Sequence, residues 1–303
     1  MSLVTKGTLL ITGASGFIGG HLAKQAGGAW SVAGTCRRFS VASNSAGNVD
    51  GLVTLDITDK SRVISVVEEI SPSVIIHCAA VSSVEYCAVH KELAHAVNIA
   101  GTENMALASA GCGAHFIFIS SDQVFDGSAG CYSETDEPKP ISFYGETKLE
   151  GERIVRGISD SYTIARLSLC YGKSVNNSVS FLDKMICTLE RKEGVTLFFD
   201  EFRSPAYVQD ICTALLALAE NRASGIFHLA GPERLSRLDF GYKVVEFFGF
   251  DKSLITVASS DLFGFLDRRP KDCSLISRNL ISPTVRFRTV IEGLADCKVS
   301  SGA

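Results

Sequence analysis

Tyr144 and Lys148 are the two residues whose types and spacing most directly indicate chemistry. They stand four residues apart in Phe-Tyr-Gly-Glu-Thr-Lys, so a helix would place both side chains on one face. An ammonium beside a phenol favours the phenolate and lowers the phenol's pKa, and such a phenol can donate a proton to a carbonyl under reduction. The same spacing also occurs on solvated helices, so the surrounding elements must decide whether this pair is catalytic.

The elements around this pair alternate strand and helix through the first half of the chain. Strands are predicted at Thr8–Thr12, Trp30–Thr35, Leu52–Leu55, Val74–His77, His115–Ser120 and Tyr162–Leu167, and helices at Phe17–Ala26, Lys60–Ile70, Ala88–Ala110 and Phe143–Arg156. Repeated β-α-β units form parallel sheets, and fully apolar runs suit central strands that helices cover on both faces. The predicted fold class is therefore α/β, a doubly wound parallel sheet of the Rossmann type.

The regular alternation weakens after about Gly172. A helix near Asp210–Glu220 and a strand at Ile226–His228 are typical of a return to the same sheet. We therefore predict a Rossmann domain over residues 1–172, to which 205–230 returns, and a smaller α/β substrate-binding lobe formed mainly by residues 173–303.

Composition narrows the classes of partner. A net charge of −4 over 303 residues provides no basic field for nucleic acid, so a small molecule is the expected ligand. The chain begins without the pattern of a signal peptide and contains no apolar run long enough to span a bilayer, which predicts a cytoplasmic protein without membrane attachment. The ten cysteines never form Cys-x-x-Cys and several lie in apolar runs, so we expect structural thiols and no metal site.

A glycine-rich segment joins the first predicted strand to the first predicted helix. Gly13, Gly16 and Gly19 recur at every third position. Such glycines let the chain turn tightly, let backbone N–H groups approach a pyrophosphate, and let the helix pack close to the sheet. A plain turn is the alternative, but the strand before it and the helix after it favour a dinucleotide site.

The end of the second strand bears on the choice of cofactor. Arg37 and Arg38 stand where an acidic residue would bind the ribose 2′-hydroxyl of NAD. Two guanidiniums would attract a 2′-phosphate, so NADP(H) is preferred over NAD(H), unless both arginines are solvated loop charges.

These motifs together resemble the extended branch of the short-chain dehydrogenase/reductase superfamily, and within it the dTDP-4-dehydrorhamnose reductase family. Five strings carry the likeness: Ser-Ser-Asp-Gln-Val-Phe-Asp-Gly from Ser120, Tyr-Gly-Glu-Thr-Lys-Leu-Glu-Gly-Glu from Tyr144, Asp-Glu-Phe-Arg-Ser-Pro-Ala-Tyr-Val-Gln-Asp from Asp200, Phe-His-Leu-Ala-Gly-Pro-Glu from Phe227, and Arg-Arg-Pro-Lys-Asp-Cys-Ser-Leu from Arg268. The resemblance implies an NADPH-dependent reduction of a 4-keto group on a nucleotide-activated deoxysugar.

The resemblance also implies roles for individual residues. Ser121, with Ser120 as second choice, would hold the carbonyl oxygen beside Tyr144 and Lys148, and Arg166 would be architectural. Together, the residues and the resemblance assign cofactor binding to Gly13, Ser15, Gly16, Phe17, Ile18, Gly19, Arg37, Arg38, Asp56, Ile57, Cys78, Ala79, Ala80, Asn98, Tyr144 and Lys148, and substrate binding to Ser121, Asp122, Gln123, Arg203 and Arg269.

Two alternatives stay open. An epimerase or dehydratase would retain NAD and return the hydride, although Gln123 stands where dehydratases carry an acidic helper. A regulatory subunit resembling the methionine adenosyltransferase beta subunit would bind the cofactor and serve a partner enzyme. The oligomeric state is not determined, and a homodimer is compatible with the sequence.

Overall fold

The computed structural model describes residues 6–37, 51–175, 178–279 and 281–299. Its strands are β1 (Thr8–Thr12), β2 (Ser31–Cys36), β3 (Gly51–Thr54), β4 (Val74–His77), β5 (His115–Ser121), β6 (Tyr162–Leu167), β7 (Cys170–Tyr171), β8 (Val195–Phe198), β9 (Phe202–Arg203), β10 (Ala206–Tyr207), β11 (Gly225–Leu229), β12 (Leu235–Ser236) and β13 (Ile255–Ala258). Its α-helices are α1 (Phe17–Ala26), α2 (Lys60–Ile70), α3 (Val84–Val89), α4 (Lys91–His95), α5 (Gly101–Cys112), α6 (Phe143–Ile158), α7 (Phe181–Glu190), α8 (Val208–Asn221), α9 (Arg237–Phe248) and α10 (Val290–Val299).

Seven parallel strands form the main sheet in the order β11-β6-β5-β4-β1-β2-β3. The chain winds outward from β1 to β3 on one side and from β4 to β11 on the other. The strand order therefore reverses between β1 and β4, and the crevice at the carboxyl ends of these two strands is where open α/β sheets bind ligands. The predicted Rossmann-type sheet is confirmed, including the return of a strand from the second half of the chain.

Apolar side chains on both faces of the central strands explain this layering. Leu9 and Ile11 of β1 enter a core cluster with residues of α1 and α8, whereas Leu10 enters the opposite cluster with Phe116 and Phe118 of β5. Alternate residues of a strand point to opposite faces, so both faces must be covered by helices. The sheet consequently presents only its ends to a ligand.

The predicted helix across Ala88–Ala110 is divided into several pieces. His90 ends α3 with φ −112° and ψ 57°, which is not helical. A π-helical turn over Ala96–Ala100 then separates α4 from α5. π-Helical turns insert an extra residue and often occur at functional sites, and this one contains Asn98.

The remaining short strands build a second layer beyond β6. β8 pairs with β13, β9 pairs with β12, and β7 pairs with β10. Helices α7 and α9 pack against β8. The division of the chain near residue 172 into a cofactor domain and a substrate lobe stays a prediction, but these elements lie where they can border the crevice.

The described residues contain neither a candidate membrane span nor a candidate metal site. No helix there combines the length and apolar character needed to cross a bilayer. No group of three or more His, Cys, Asp or Glu side chains in the same residues is placed to hold a metal ion. All ten cysteines are free thiols.

Candidate active site

Tyr144 and Lys148 lie in the first two turns of α6, as the spacing predicts. The helix begins at Phe143 because the Ser142 hydroxyl accepts a hydrogen bond from the Gly145 N–H at 3.1 Å and caps the first turn. Tyr144 is 9% exposed and Lys148 is 4% exposed, so neither belongs to a solvated surface. The reading of the pair as ordinary surface residues is therefore excluded.

Two glycines allow α6 to lie this close to its neighbours. A Cβ atom at Gly145 would collide with the backbone oxygen of Gln123, and one at Gly151 would lie 2.5 Å from the Phe118 ring. The same ring supports the Lys148 ammonium, whose Nζ lies 4.3 Å from the ring centroid. Helix α6 is thus packed directly onto β5.

The acidities of the pair are set by burial. Burial raises the pKa of Tyr144, the nearby Asp122 charge raises it further, and a hydrogen bond with the Ser121 side chain opposes the rise. Burial also lowers the pKa of Lys148 to about 8, and the Glu152 carboxylate opposes this fall. The expectation that Lys148 lowers the Tyr144 pKa is not met, because desolvation dominates at both groups.

The structure distinguishes the two serines at the end of β5. The Ser120 hydroxyl donates to Glu152 Oε1 at 2.6 Å, and Glu152 is held in a buried two-point ion pair by Arg166, at 2.9 Å and 2.7 Å. Ser121 instead lines the cavity together with Tyr144, and its hydroxyl opposes the rise of the Tyr144 pKa. Ser121 is therefore better placed than Ser120 to hold a substrate oxygen, and Arg166 has the architectural contacts expected of it.

Asp122 connects Ser121 to the second layer. The Ser121 hydroxyl donates to Asp122 Oδ1 at 3.1 Å, while Ser168 donates to Oδ2 at 3.4 Å. Arg203 Nε lies 3.5 Å from the same Oδ2. Burial raises the pKa of Asp122, and the Arg203 charge counteracts this rise.

The turn between β1 and α1 has the shape of a phosphate cradle. Gly13 has φ +66°, and a Cβ atom there would lie 2.9 Å from the backbone of Ala79. A Cβ atom at Gly19 would collide with the Gly13 oxygen. No side chain caps the amino end of α1, so its first N–H groups can receive an anion. The residues present therefore fit a dinucleotide.

The far end of this crevice contains the residues predicted for the adenosine half. Arg37 lies exposed at the end of β2, and its charge contributes to a lowered pKa of Asp56, which is due mainly to a hydrogen bond from the Thr58 backbone N–H. Arg38, also predicted to bind the cofactor, lies outside the described residues.

Asn98 lies behind the crevice rather than on its wall. Its side-chain oxygen accepts from the Val81 N–H at 2.8 Å, and its amide nitrogen donates to the Val81 carbonyl at 3.0 Å and to Thr147 Oγ1 at 3.1 Å. A cofactor contact of Asn98 stays a prediction, and the contacts that the structure shows for its amide are to Val81 and Thr147.

Two adjoining cavities contain almost all of the predicted site residues. A cavity of ≈ 520 Å³ is lined by Gly13, Gly16, Phe17, Ile18, Gly19, Cys78, Ser121, Asp122, Gln123, Tyr144, Lys148, Arg203 and Arg269, among others. A cavity of ≈ 290 Å³ shares Gly13, Gly16, Cys78 and Ala80 with it and adds Ser15, Arg37, Asp56, Ile57 and Ala79. The shared residues make one crevice over the switch between β1 and β4.

The lobe side of the crevice contains a cluster of arginines that the sequence predicted only in part. Arg203 donates to the backbone oxygens of Phe202 and Pro270 at 2.6 Å and 3.2 Å, and Arg269 Nη2 lies 3.1 Å from Glu85 Oε1. Both line the larger cavity, and so does Arg237.

The sequence reasoning missed Arg237. A Ser-x-x-Asp capping box at Ser236 signals where α9 begins, with Arg237 as its first residue. That signal predicts a helix start but not which cavity the first helical residue faces. Lys271, which belongs to the string that begins at Arg268, pairs with Asp200 at 2.7 Å and with Asp261 at 2.6 Å.

The fold and the site define a Rossmann-type protein of the short-chain dehydrogenase/reductase class. The chain belongs to the family described as the RmlD substrate binding domain, whose model matches residues 7–297. It is similar to a probable low-salt glycan biosynthesis reductase of Haloferax volcanii, with 36% identity over 75% of this chain and 76% of that protein.

Two further similarities differ in what they imply. The methionine adenosyltransferase 2 subunit beta of Xenopus laevis is 30% identical over 93% of this chain and 85% of its own length. The crystal structure of dTDP-4-dehydrorhamnose reductase from Bacillus anthracis in complex with NADP is 29% identical, with a TM-score of 0.84 over 98% of this chain and 100% of that chain. The family thus includes both named reductases and a named subunit of another enzyme.

Proposed function

We propose that this protein is an NADPH-dependent reductase of a nucleotide-activated 4-keto-deoxysugar. One observation carries the proposal: Ser121, Tyr144 and Lys148 line the same cavity as the glycine-rich turn, so an acid, its hydroxyl partner and a cofactor cradle share one space. A carbonyl placed there can meet both a proton donor and a reduced nicotinamide.

The protein's part in the reaction is proton donation and positioning. Tyr144 donates its phenolic proton to the carbonyl oxygen, and its raised pKa keeps that proton in place at neutral pH until the oxygen gains negative charge. Ser121 holds the same oxygen. Lys148, with a pKa of about 8, is mostly cationic at neutral pH and stabilises the negative charge that develops beside it. The nicotinamide cofactor, when bound, supplies the hydride.

For the cofactor we propose NADP(H) over NAD(H). Arg37 lines the adenosine end of the crevice and can pair with a 2′-phosphate. The presence of NADP in the Bacillus anthracis structure supports this choice. The side chains that would hold the cofactor are those of the crevice, and Gly13 and Gly19 provide the close backbone approach.

The test is NADPH oxidation with a panel of nucleotide-4-ketosugars that includes dTDP-4-dehydrorhamnose. Wild type should consume NADPH in proportion to sugar reduced, and Tyr144→Phe should not. Arg191→Gln is the control and should behave as wild type. Arg191 is solvent-exposed and lies at the carboxyl end of α7. Stoichiometric NAD released from denatured protein, together with no net NADPH consumption, would instead identify a hydride-returning epimerase or dehydratase.

A regulatory subunit is the second candidate, because the Xenopus laevis relative extends over 93% of this chain. Retention of Ser121, Tyr144 and Lys148 in one cavity argues for catalysis. If no sugar is turned over while a partner enzyme co-purifies and changes its kinetics on binding, the reductase proposal fails and the regulatory role stands.

A further inference from the structure

Arg237 occupies an unusual position in the larger cavity. It is the first residue of α9, and the reciprocal hydrogen bonds between Ser236 and Asp239 fix the point where that helix begins. Its guanidinium carbon lies 3.9 Å from the centroid of the Phe181 ring, so one face of the guanidinium is covered. The side chain also lines the cavity that contains Ser121 and Tyr144. Arg237 is therefore held in place at the substrate side of the crevice.

Arg237 differs from its two neighbouring arginines in lacking a protein partner. Arg203 donates to backbone oxygens and approaches Asp122, and Arg269 pairs with Glu85. For the Arg237 side chain, by contrast, no hydrogen bond or ion pair is formed with any part of the chain that the structure describes. The charges of Glu201 and Asp122 act on Arg237 without forming an ion pair with it.

The surroundings of Arg237 carry excess positive charge. Burial lowers the pKa of Arg237 to about 10, and the charges of Arg203 and Arg269 contribute to the fall. Four cations, Lys148, Arg203, Arg237 and Arg269, line this cavity in the described structure, against two carboxylates, Asp122 and Glu201. Arg237 is partly buried, and a partly desolvated cation without an ion-pair partner is unfavourable, so an anion that entered would be attracted to it.

We propose that Arg237 binds the phosphate oxygens of the substrate's nucleotide diphosphate. The proposal rests on the proposed function and deepens it by assigning a residue to the substrate's charged group. A guanidinium stacked on an aromatic ring keeps its N–H edge free for two-point hydrogen bonding, which suits phosphate.

The experiment is calorimetric titration of NADP⁺-saturated protein with TDP, TMP and thymidine, which needs no turnover. Arg237→Gln should weaken TDP binding about 10- to 100-fold, the range expected for hydrogen bonds to a charged group, and leave thymidine binding unchanged. Arg237→Lys should bind TDP with intermediate affinity because it retains the charge but not the two-point geometry. The dependence of TDP affinity on salt should also decrease in Arg237→Gln.

Arg234→Gln is the matched control. Arg234 also stacks on a phenylalanine, Phe202 at 3.9 Å, but it pairs with Asp272 and does not line the cavity. Arg234→Gln changes the net charge by the same amount as Arg237→Gln and should leave the TDP affinity at its wild-type value. Thermal unfolding of each variant, with and without NADP⁺, establishes that the fold and the cofactor crevice persist.

Two outcomes would overturn the inference. Equal TDP affinities of wild type and Arg237→Gln would remove Arg237 from phosphate recognition. The inference would also fail if Arg237→Gln kept its TDP affinity but lost affinity for UDP-glucuronate and not for UDP-glucose. Arg237 would then bind a sugar carboxylate. Either result is compatible with NADPH oxidation by wild type, so the proposed reductase activity would stand. If Arg237→Gln binds TDP more weakly but wild type turns over no sugar, only the proposed reductase activity fails.

Discussion

Replacing Lys148 by Met should stabilise the fold while removing the activity. The ammonium is 4% exposed, and burial lowers its pKa from an ordinary 10.5 to about 8. A fall of this size corresponds to about 3 kcal/mol of unfavourable free energy for the ionised form in the folded protein. Met has a similar length, carries no charge and can pack against the Phe118 ring. At pH 7 the variant should therefore have a free energy of unfolding up to about 3 kcal/mol above wild type.

The stability difference between wild type and Lys148→Met should depend on pH. Below pH 8 both the folded and the unfolded wild-type chains carry the Lys148 charge, so the penalty is complete. Between pH 8 and pH 10.5 the folded state has lost this proton and the unfolded state still holds it, so wild-type stability rises with pH. The free energy of unfolding of Lys148→Met should therefore exceed that of wild type by only about 1.5 kcal/mol near pH 9.5, which lies inside this pH window.

The assay is urea unfolding of wild type and Lys148→Met at the two pH values, followed by tryptophan fluorescence and circular dichroism. Lys60→Met changes an exposed lysine at the start of α2 and should shift neither the stability nor its pH dependence. A variant less stable than wild type at pH 7, or a stability difference that does not shrink as the pH rises, would refute the reasoning about the buried ammonium.

Three further predictions concern the cofactor, the acid and the buried ion pair. Tyr144→Phe should lower turnover by about 10²- to 10⁴-fold with little change in NADPH affinity, measured by NADPH oxidation and by fluorescence titration; unchanged turnover would discard the proton-donor role. Arg37→Ala should weaken NADPH binding much more than NADH binding, and equal losses in the two titrations would make this arginine a bystander. Glu152→Gln should lower the free energy of unfolding by about 3 kcal/mol or more, because it leaves the buried Arg166 charge unpaired. Glu150→Gln breaks only an exposed pair and should change the urea midpoint little. Similar urea midpoints for both variants would contradict this prediction.

The main sheet could be predicted closely from the sequence because its signals are local. Each β-branched or apolar run forms one strand, and β1, β4 and β6 begin and end at the predicted residues. Helix α1 likewise coincides with its prediction, since strand, glycine turn and amphipathic helix follow one another without a gap. These elements position the crevice, which is why motifs could predict many of the residues that line it.

What the sequence could not predict depends on tertiary packing. The π-helical turn at Ala96–Ala100 contacts α6, which is distant in sequence, and no local residue preference predicts such a turn. The direction of the Tyr144 pKa was missed for the same reason: the effect of a neighbouring lysine can be read from spacing, but the depth of burial cannot. Arg237 likewise acquires its place only when α9 packs beside the crevice.

The three hydrogen bonds of Asn98 make two separate parts of the site behave as one mechanical body. The Asn98 side chain, which lies in the π-helical turn, hydrogen-bonds to the loop after β4 at Val81 and to α6 at Thr147. Asn98 is not among the residues that line the two cavities, yet a substitution there would loosen both the loop after β4 and the helix that carries Tyr144. In a screen for loss of function it would be indistinguishable from an active-site residue, although its contribution is stiffness rather than chemistry.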